Sequence, residues 1–395
     1  MRTTDTDTVI VGAGPIGLEV AAGLRRAGHP YIQLDAGPIG HTMTWWAPGT
    51  RFFSSPERIE IAGVPLATPA QDKATREEYL TYLRTVVAAH GLRVETFRRV
   101  VSARRAGDGF ELGVVRSPAG VGGPEEERRG ARPAGGPVPE TIRCRRVVLA
   151  IGDMHAPRRL GVPGEDLPHV SHYFEDPHRY VGRRVLIVGG KNSAAEAAIR
   201  LQRIGVDVAI SYRRAEFDEK RIKYWLLPEL KWLIEKGRMT FYPRTAVRAI
   251  GEGWADLAEA GPLDDEPEAW DGSSPEHEDP GFRPGGDALV GTPQRVEADD
   301  VLLLTGYVQD KSLFEQLGVR LEHRERRPAH DAETMETNVP GVYVCGTAVG
   351  GTQTRARVFI ETSHVHAERI VRAITGVRGP GPAREPVAYG RMEES

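Results

Sequence analysis

The sequence predicts an α/β fold in two three-layer domains, and three observations carry the prediction. A short apolar run, Val9 to Val11, leads straight into glycines and then into helical apolar spacing from Ile16 to Arg26. A second run, Val185 to Val188, repeats the pattern about 175 residues later, followed by helical spacing over 192–204. Late in the chain, 301–304 and 342–344 read as buried strands, the second of them returning to the first unit. Two β-α-β units so far apart give two Rossmann-like domains rather than a short-period repeat array.

Each element has its own stop signal. Gly28 ends the first helix, and 31–34 is the next strand; Gly205 ends the second, and 206–212 is its strand. Apolar spacing over 358–374 predicts a last helix that stops at Gly376. The links VVLAIG (147–152) and VLLLTG (301–306) each end an apolar strand in a small residue and glycine, suited to close backbone passage beside a ligand. Two segments, 117–140 and the acidic 261–293, are dominated by Gly, Pro and charge and are expected to loop out flexibly. The C-terminal tail is expected to be surface coil. The expected domains are therefore 1–160 with 294–395, and 161–293.

Composition narrows the function. At 395 residues and a formal net charge of -3, the chain gives no reason to expect nucleic acid or an anionic membrane as partner. Its 12 histidines show no metal-ligand spacing, so no metal site is expected. The two cysteines, Cys144 and Cys345, lie far apart and suit a reducing compartment. No apolar run reaches the roughly 18–20 residues that span a bilayer, and MRTTDTDT lacks the parts of a signal peptide. A cytoplasmic protein is expected.

Gly12-Ala13-Gly14-Pro15-Ile16-Gly17 is a complete GxGxxG between strand and helix. Gly12 permits the tight turn, Gly14 admits a pyrophosphate to the backbone, and Gly17 lets helix and strand approach. The helix start then offers unpaired N–H groups to phosphate. Asp35 ends the second strand 18 residues after Gly17, where a carboxylate accepts ribose hydroxyls. The second turn, Gly189-Gly190-Lys191-Asn192-Ser193-Ala194, is a variant with Ala194 in the last glycine's place, and Asn192 or Ser193 is expected to cap the helix. Its strand ends in Tyr212-Arg213-Arg214 with no acid; arginines there attract a 2′-phosphate, so NADPH is expected over NADH. Lys191 is expected near a phosphate and Glu196 on the nicotinamide side. An N-terminal fold, an inserted second fold and a late return strand form the layout of two-nucleotide flavoproteins, with FAD in the first fold.

These residues together resemble the thioredoxin-reductase-like branch of FAD/NAD(P)H oxidoreductases. More narrowly, the chain is similar to the bacillithiol-disulfide (bacilliredoxin) reductase family, the YpdA type. The matching stretches are FFSSPERIEIAGVP, GVPGEDLPHVSHYF, VGGKNSAAEAA, KYWLLPEL, LLLTGY and ETMETNVPGVYVCG. The resemblance implies a homodimeric cytosolic flavoenzyme that draws electrons from NADPH through FAD. It assigns Gly12, Gly14, Gly17 and Asp35 to FAD, and Gly189, Asn192, Ser193 and Arg213 to NADPH. Pro15, Ile16, Ala150, Gly152, Gly346 and Thr347 are further expected FAD contacts, and Gly190, Lys191, Glu196 and Arg214 further expected NADPH contacts.

The chain departs from that pattern in three places. The segment aligned with the CxxC of thioredoxin reductases reads VSHYFED and has no cysteine. Ile16 stands where the YpdA type places a cysteine, and Gly346-Thr347 where many relatives have Gly-Asp for the ribityl chain. Hydride transfer needs position and no protein nucleophile, so electrons are expected to leave the flavin directly for a small disulfide, a redoxin or another acceptor. Candidate catalytic groups are His366 and His364, as proton donors, and Cys345 as a surrogate thiol; Trp45, Trp46, Phe52 and Phe53 are candidates to cover the flavin. A flavin monooxygenase, a ferredoxin- or flavodoxin-NADP reductase and a nucleotide-binding redox sensor stand as alternatives, the first weakened by the missing FxGxxxHxxxY/F pattern.

Overall fold

The computed structural model describes residues 2–69, 72–117, 123–124, 140–261, 290–353 and 357–377. They divide into two compact units: 2–45 with 49–156 and 307–377, and 46–48 with 157–306.

The first unit is built on a five-stranded parallel sheet in the order Val342–Val344, Arg146–Leu149, Thr8–Val11, Tyr31–Leu34, Val94–Glu95. The strand that precedes the first glycine turn is therefore central. Successive strand residues face opposite layers. Val9, Val11, Val147, Leu149, Val342 and Val344 enter a core with Val100, Phe110, Leu112, Val114 and Ile142 of a four-stranded mixed sheet. Ile10 and Val148, fully buried, take the opposite orientation. Helices Pro15–Arg26 and His364–Thr375 pack on each other in this unit. Arg26 is the last helical residue before Gly28 turns the chain at φ +67°, and Gly376 ends the last helix at φ +72°.

The second unit repeats the plan with a parallel sheet ordered Val170–Ser171, Asp300–Leu303, Arg184–Val188, Asp207–Tyr212, Thr240–Pro243. Val185 and Ile187 pack with Ala194, Ala198 and Leu201 of helix Asn192–Arg203 and with Leu230 of helix Leu227–Glu235. Leu186 and Val188 pack with Val247, Ile250, Leu257 and Val296 of an antiparallel sheet, Thr245–Gly251, Trp254–Glu259 and Val290–Glu297. Apolar residues on both faces explain why these strands read as continuous hydrophobic runs. Both units have the three layers and the Rossmann-like fold that the sequence predicts. Among the described residues, no helix is long and apolar enough to cross a membrane.

Three details differ from expectation. Besides the short excursion at 46–48, the unit changes fall at Ala156/Pro157 and Gly306/Tyr307, the second because strand Val290–Glu297 pairs with Trp254–Glu259 and strand Asp300–Leu303 with Arg184–Val188 inside the second unit. Residues 290–293 accordingly lie in a strand rather than a loop; the rest of that acidic segment from 262 on, most of 117–140 and the tail from 378 lie outside the described residues. The last helix starts at His364 instead of 358. Thr362 Oγ1 accepts from Phe359 N at 2.9 Å and Ser363 Oγ donates to Phe359 O at 2.6 Å, holding the chain in a turn that competes with helix.

Candidate functional site

At the first glycine turn, the space around each glycine separates packing from binding. Gly12 has φ +116°, and a Cβ there would overlap the Ala150 carbonyl oxygen; one on Gly17 would overlap the Gly12 carbonyl oxygen. Both are glycines because backbones meet. Gly14 is different: its φ of -75° and ψ of 178° suit any residue, and nothing lies within 4 Å of its would-be Cβ. Its lack of a side chain keeps open the space ahead of the helix. The first intrahelical bond is Leu18 N to Gly14 O at 3.0 Å, so the amides of Gly14, Ile16 and Gly17 precede it and point into that space. Asp35 braces the turn, accepting Ala13 N at 2.6 Å and Gly37 N at 2.8 Å. Burial pushes its carboxyl up against those two hydrogen bonds. Each carboxylate oxygen keeps a second acceptor site. The cradle fits a pyrophosphate with an adjoining ribose.

The second turn is built alike. Gly189, at φ +145°, abuts the Leu304 carbonyl as Gly12 abuts Ala150, and Ala194 sits 3.3 Å from its would-be Cβ. A Cβ on Gly190 would strike the Tyr212 ring. The expected side-chain cap is absent. Lys191 is the N-cap and makes no cap bond, while Asn192 Oδ1 accepts Lys223 N at 2.6 Å. Glu196 pairs with Lys223 Nζ at 2.9 Å inside the second unit. Lys191 and Ser193 are exposed at the helix start. Arg213 is exposed and Arg214 half-buried; both, with Arg221, lie close enough to lower the Tyr212 phenol, whose net shift is upward from burial. The sequence reading gave no role to Arg221 or to Lys223, which opens the matching stretch KYWLLPEL, because no spacing rule ties either to the glycine turn.

The candidate redox and acid–base groups are all constrained. Cys144 and Cys345 are buried free thiols. Burial raises Cys144 to about 12 and, with the nearby Glu19 carboxylate, raises Cys345 further still. Such thiols are poor nucleophiles. Ile16 is buried, its Cβ 3.5 Å from a would-be Cβ at Gly346. His366 is buried; its own burial, then the charges of His330, Arg369 and His364, hold it neutral at about 4. His364 places Nδ1 3.0 Å from Glu19 Oε2 and Nε2 2.9 Å from Arg58 O. Both partners are acceptors, so both bonds form only with the imidazolium. Burial opposes that charge, but Glu19, then the Arg58 carbonyl and Glu361, outweigh it and raise the pKa. With both bonds made, His364 carries a proton on each ring nitrogen and bridges two elements. Trp45 and Phe52 are buried, Phe52 against Tyr79 at 4.5 Å between ring centroids.

The segment standing where a redox pair would be is held by packing and by Glu165, which precedes it in the chain. Buried Glu165 accepts Leu160 N at 2.8 Å and Gly161 N at 2.6 Å. His172 Nε2 lies 3.2 Å from Glu165 Oε1, and Phe174 joins the second unit's core. At the crossover link of the first unit, Gly152 is followed by Asp153, whose carboxylate takes Gln353 Nε2 at 3.0 Å and the Thr347 hydroxyl. Only the fold brings 153 and 347 together, so the sequence reading passed over Asp153.

The chain matches the model of the pyridine nucleotide-disulphide oxidoreductase family over residues 9–117 and 138–257. It is 29% identical to the bacilliredoxin reductase Bdr of Bacillus subtilis over 93% of this chain and 96% of that protein. Among solved structures it is similar to the bacillithiol disulfide reductase Bdr (YpdA) of Staphylococcus aureus, with a TM-score of 0.76 and 25% identity over 95% of this chain and 99% of that one. The corresponding Bacillus cereus structure gives a TM-score of 0.76 and 27% identity over 94% and 99%.

Two outcomes follow from this geometry. Gly12→Ala should lose about 2 kcal/mol or more of folding stability in denaturant titration, from strain and overlap. Gly14→Ala should stay within about 0.5 kcal/mol of the parent yet lose FAD binding at least tenfold; equal binding by the Gly14 variant would remove the pyrophosphate from this cradle. The His364 pair sets a pH limb. Its raised folded pKa means the contribution to stability is complete below the unfolded value of about 6.5 and fades as pH rises through the folded value. Thermal melts from pH 5 to 9 should show this fall in the parent and a flatter alkaline limb in His364→Gln.

Proposed function

We propose that this chain, which belongs to the pyridine nucleotide-disulphide oxidoreductase family, reduces a small disulfide with electrons from NADPH and with no thiol of its own in the path. It is an oxidoreductase whose cofactors are FAD and NADPH. The observation that carries the proposal is the state of the two cysteines, both buried and both held protonated. A relay through them would need a thiolate that their surroundings disfavour.

In this reading Gly12, Gly14 and Gly17 shape the FAD cradle, with the helix-start amides on the pyrophosphate and Asp35 on the ribose. Gly189 shapes the NADPH turn, and Arg213 and Arg214 receive the 2′-phosphate. When bound, FAD supplies the two-electron step between nicotinamide and acceptor. The net reaction consumes NADPH, one proton and a disulfide, and yields NADP+ and two thiols. The names of the similar proteins point to a low-molecular-weight thiol disulfide as acceptor, bacillithiol disulfide being the first to try, with a bacilliredoxin disulfide of the same chemistry behind it. A homodimer in the cytoplasm fits the resemblance and the two free thiols.

The test is a Cys144→Ala, Cys345→Ala double variant assayed for NADPH oxidation against bacillithiol disulfide. Turnover should stay within about threefold of the parent, since replacing two buried thiols by alanine disturbs packing and little else. A loss of a hundredfold or more with the flavin still bound would return a protein thiol to the path.

A further inference from the structure

The glycine turn accounts for the pyrophosphate end of FAD and leaves the polyol between pyrophosphate and ring without a partner. Strands Arg146–Leu149 and Val342–Val344 are adjacent and parallel, and their ends deliver Gly152-Asp153 and Gly346-Thr347 to one place in the first unit. Ligands of such sheets sit beyond the carboxyl ends of the strands. A would-be Cβ on Gly152 lies 3.8 Å from Thr347 Oγ1, so the two links are neighbours.

Two acceptors collect at this joint. The Asp153 carboxylate is held by the Thr347 hydroxyl and by Gln353 Nε2, both neutral donors, and no cation appears among the groups that hold it. Gln309, 4% exposed, donates Nε2 to Gly152 O and to Ala348 O, both at 3.0 Å. Those two bonds fix the amide's orientation and leave Oε1 buried with no partner among the described residues. Buried acceptors in this state call for a donor. A chain of hydroxyls supplies several, whereas a phosphate would meet repulsion from the carboxylate.

We infer that Asp153 is the carboxylate that holds the polyol of the bound flavin, reaching the site from the crossover strand and oriented by Thr347, with Gln309 Oε1 as a second acceptor. The inference rests on the proposal that this unit binds FAD. It makes Gly346-Thr347 a relay, because the threonine hydroxyl donates to the acid that a side chain at 347 does not provide. Gln353 ties the same carboxylate to the following loop, since its Oε1 takes Arg357 N at 2.8 Å and Val358 N at 3.0 Å.

The test compares FAD with ADP on deflavinated protein, since ADP shares the glycine turn and lacks the polyol. Asp153→Ala should weaken FAD, read by flavin fluorescence quenching, about tenfold and leave ADP, read by calorimetry, within twofold. Moving the carboxylate in an Asp153→Ala, Thr347→Asp double variant should recover most of the FAD affinity. Asp153→Asn keeps the shape of the turn and should weaken FAD at least threefold even if the alanine variant folds poorly. Unchanged FAD affinity in a folded Asp153 variant, an equal loss for FAD and ADP, or no recovery in the double variant would each overturn the inference. If the unsubstituted protein takes up ADP but no FAD, the proposal of a flavin site fails first and separately.

Discussion

The structure depends on backbone meeting backbone at two glycines. Gly12 lies against the Ala150 carbonyl, and Gly189 repeats the contact against Leu304. These approaches are closer than any side chain permits, and they bring each central strand, its helix start and the neighbouring strand's end to one edge of the sheet. The open space at Gly14 follows from them. Once the turn is this tight, the helix amides ahead of the first internal bond have no intrahelical partner, and the site for an anion is a by-product of the packing.

Legibility in the sequence followed from how local the cause was. The strands and helices of both β-α-β units were readable because apolar period and glycine stops are encoded within a dozen residues. Strand Tyr31–Leu34 and strand Val342–Val344 fall on the residues expected. The start of the last helix was misread because hydroxyl-to-backbone bonds at Thr362 and Ser363 outweigh apolar spacing. The engagements of Glu196 with Lys223, of His364 with Glu19 and of Asp153 with Thr347 could not be read at all. Each joins residues distant in sequence, and none carries a spacing rule.

Chemistry has been removed from the usual thiol positions and replaced by structure. The stretch aligned with a redox pair carries His172, whose Nε2 lies 3.2 Å from buried Glu165, and Phe174, committed to the core. The position at the first helix start carries Ile16, packed beside Gly346. His364, in the last helix, is engaged on both ring nitrogens by Glu19 and the Arg58 carbonyl. What is left for redox work is the pair of bound cofactors, with the protein acting by position and electrostatics.

That division of labour has a countable consequence. Anaerobic titration of the FAD-loaded protein with dithionite, followed by absorbance, measures how many electrons each subunit stores. The account requires two per flavin, with a single reductive phase. Four electrons per flavin, or a long-wavelength thiolate–flavin band on partial reduction, would mean that a protein dithiol takes part and would contradict it.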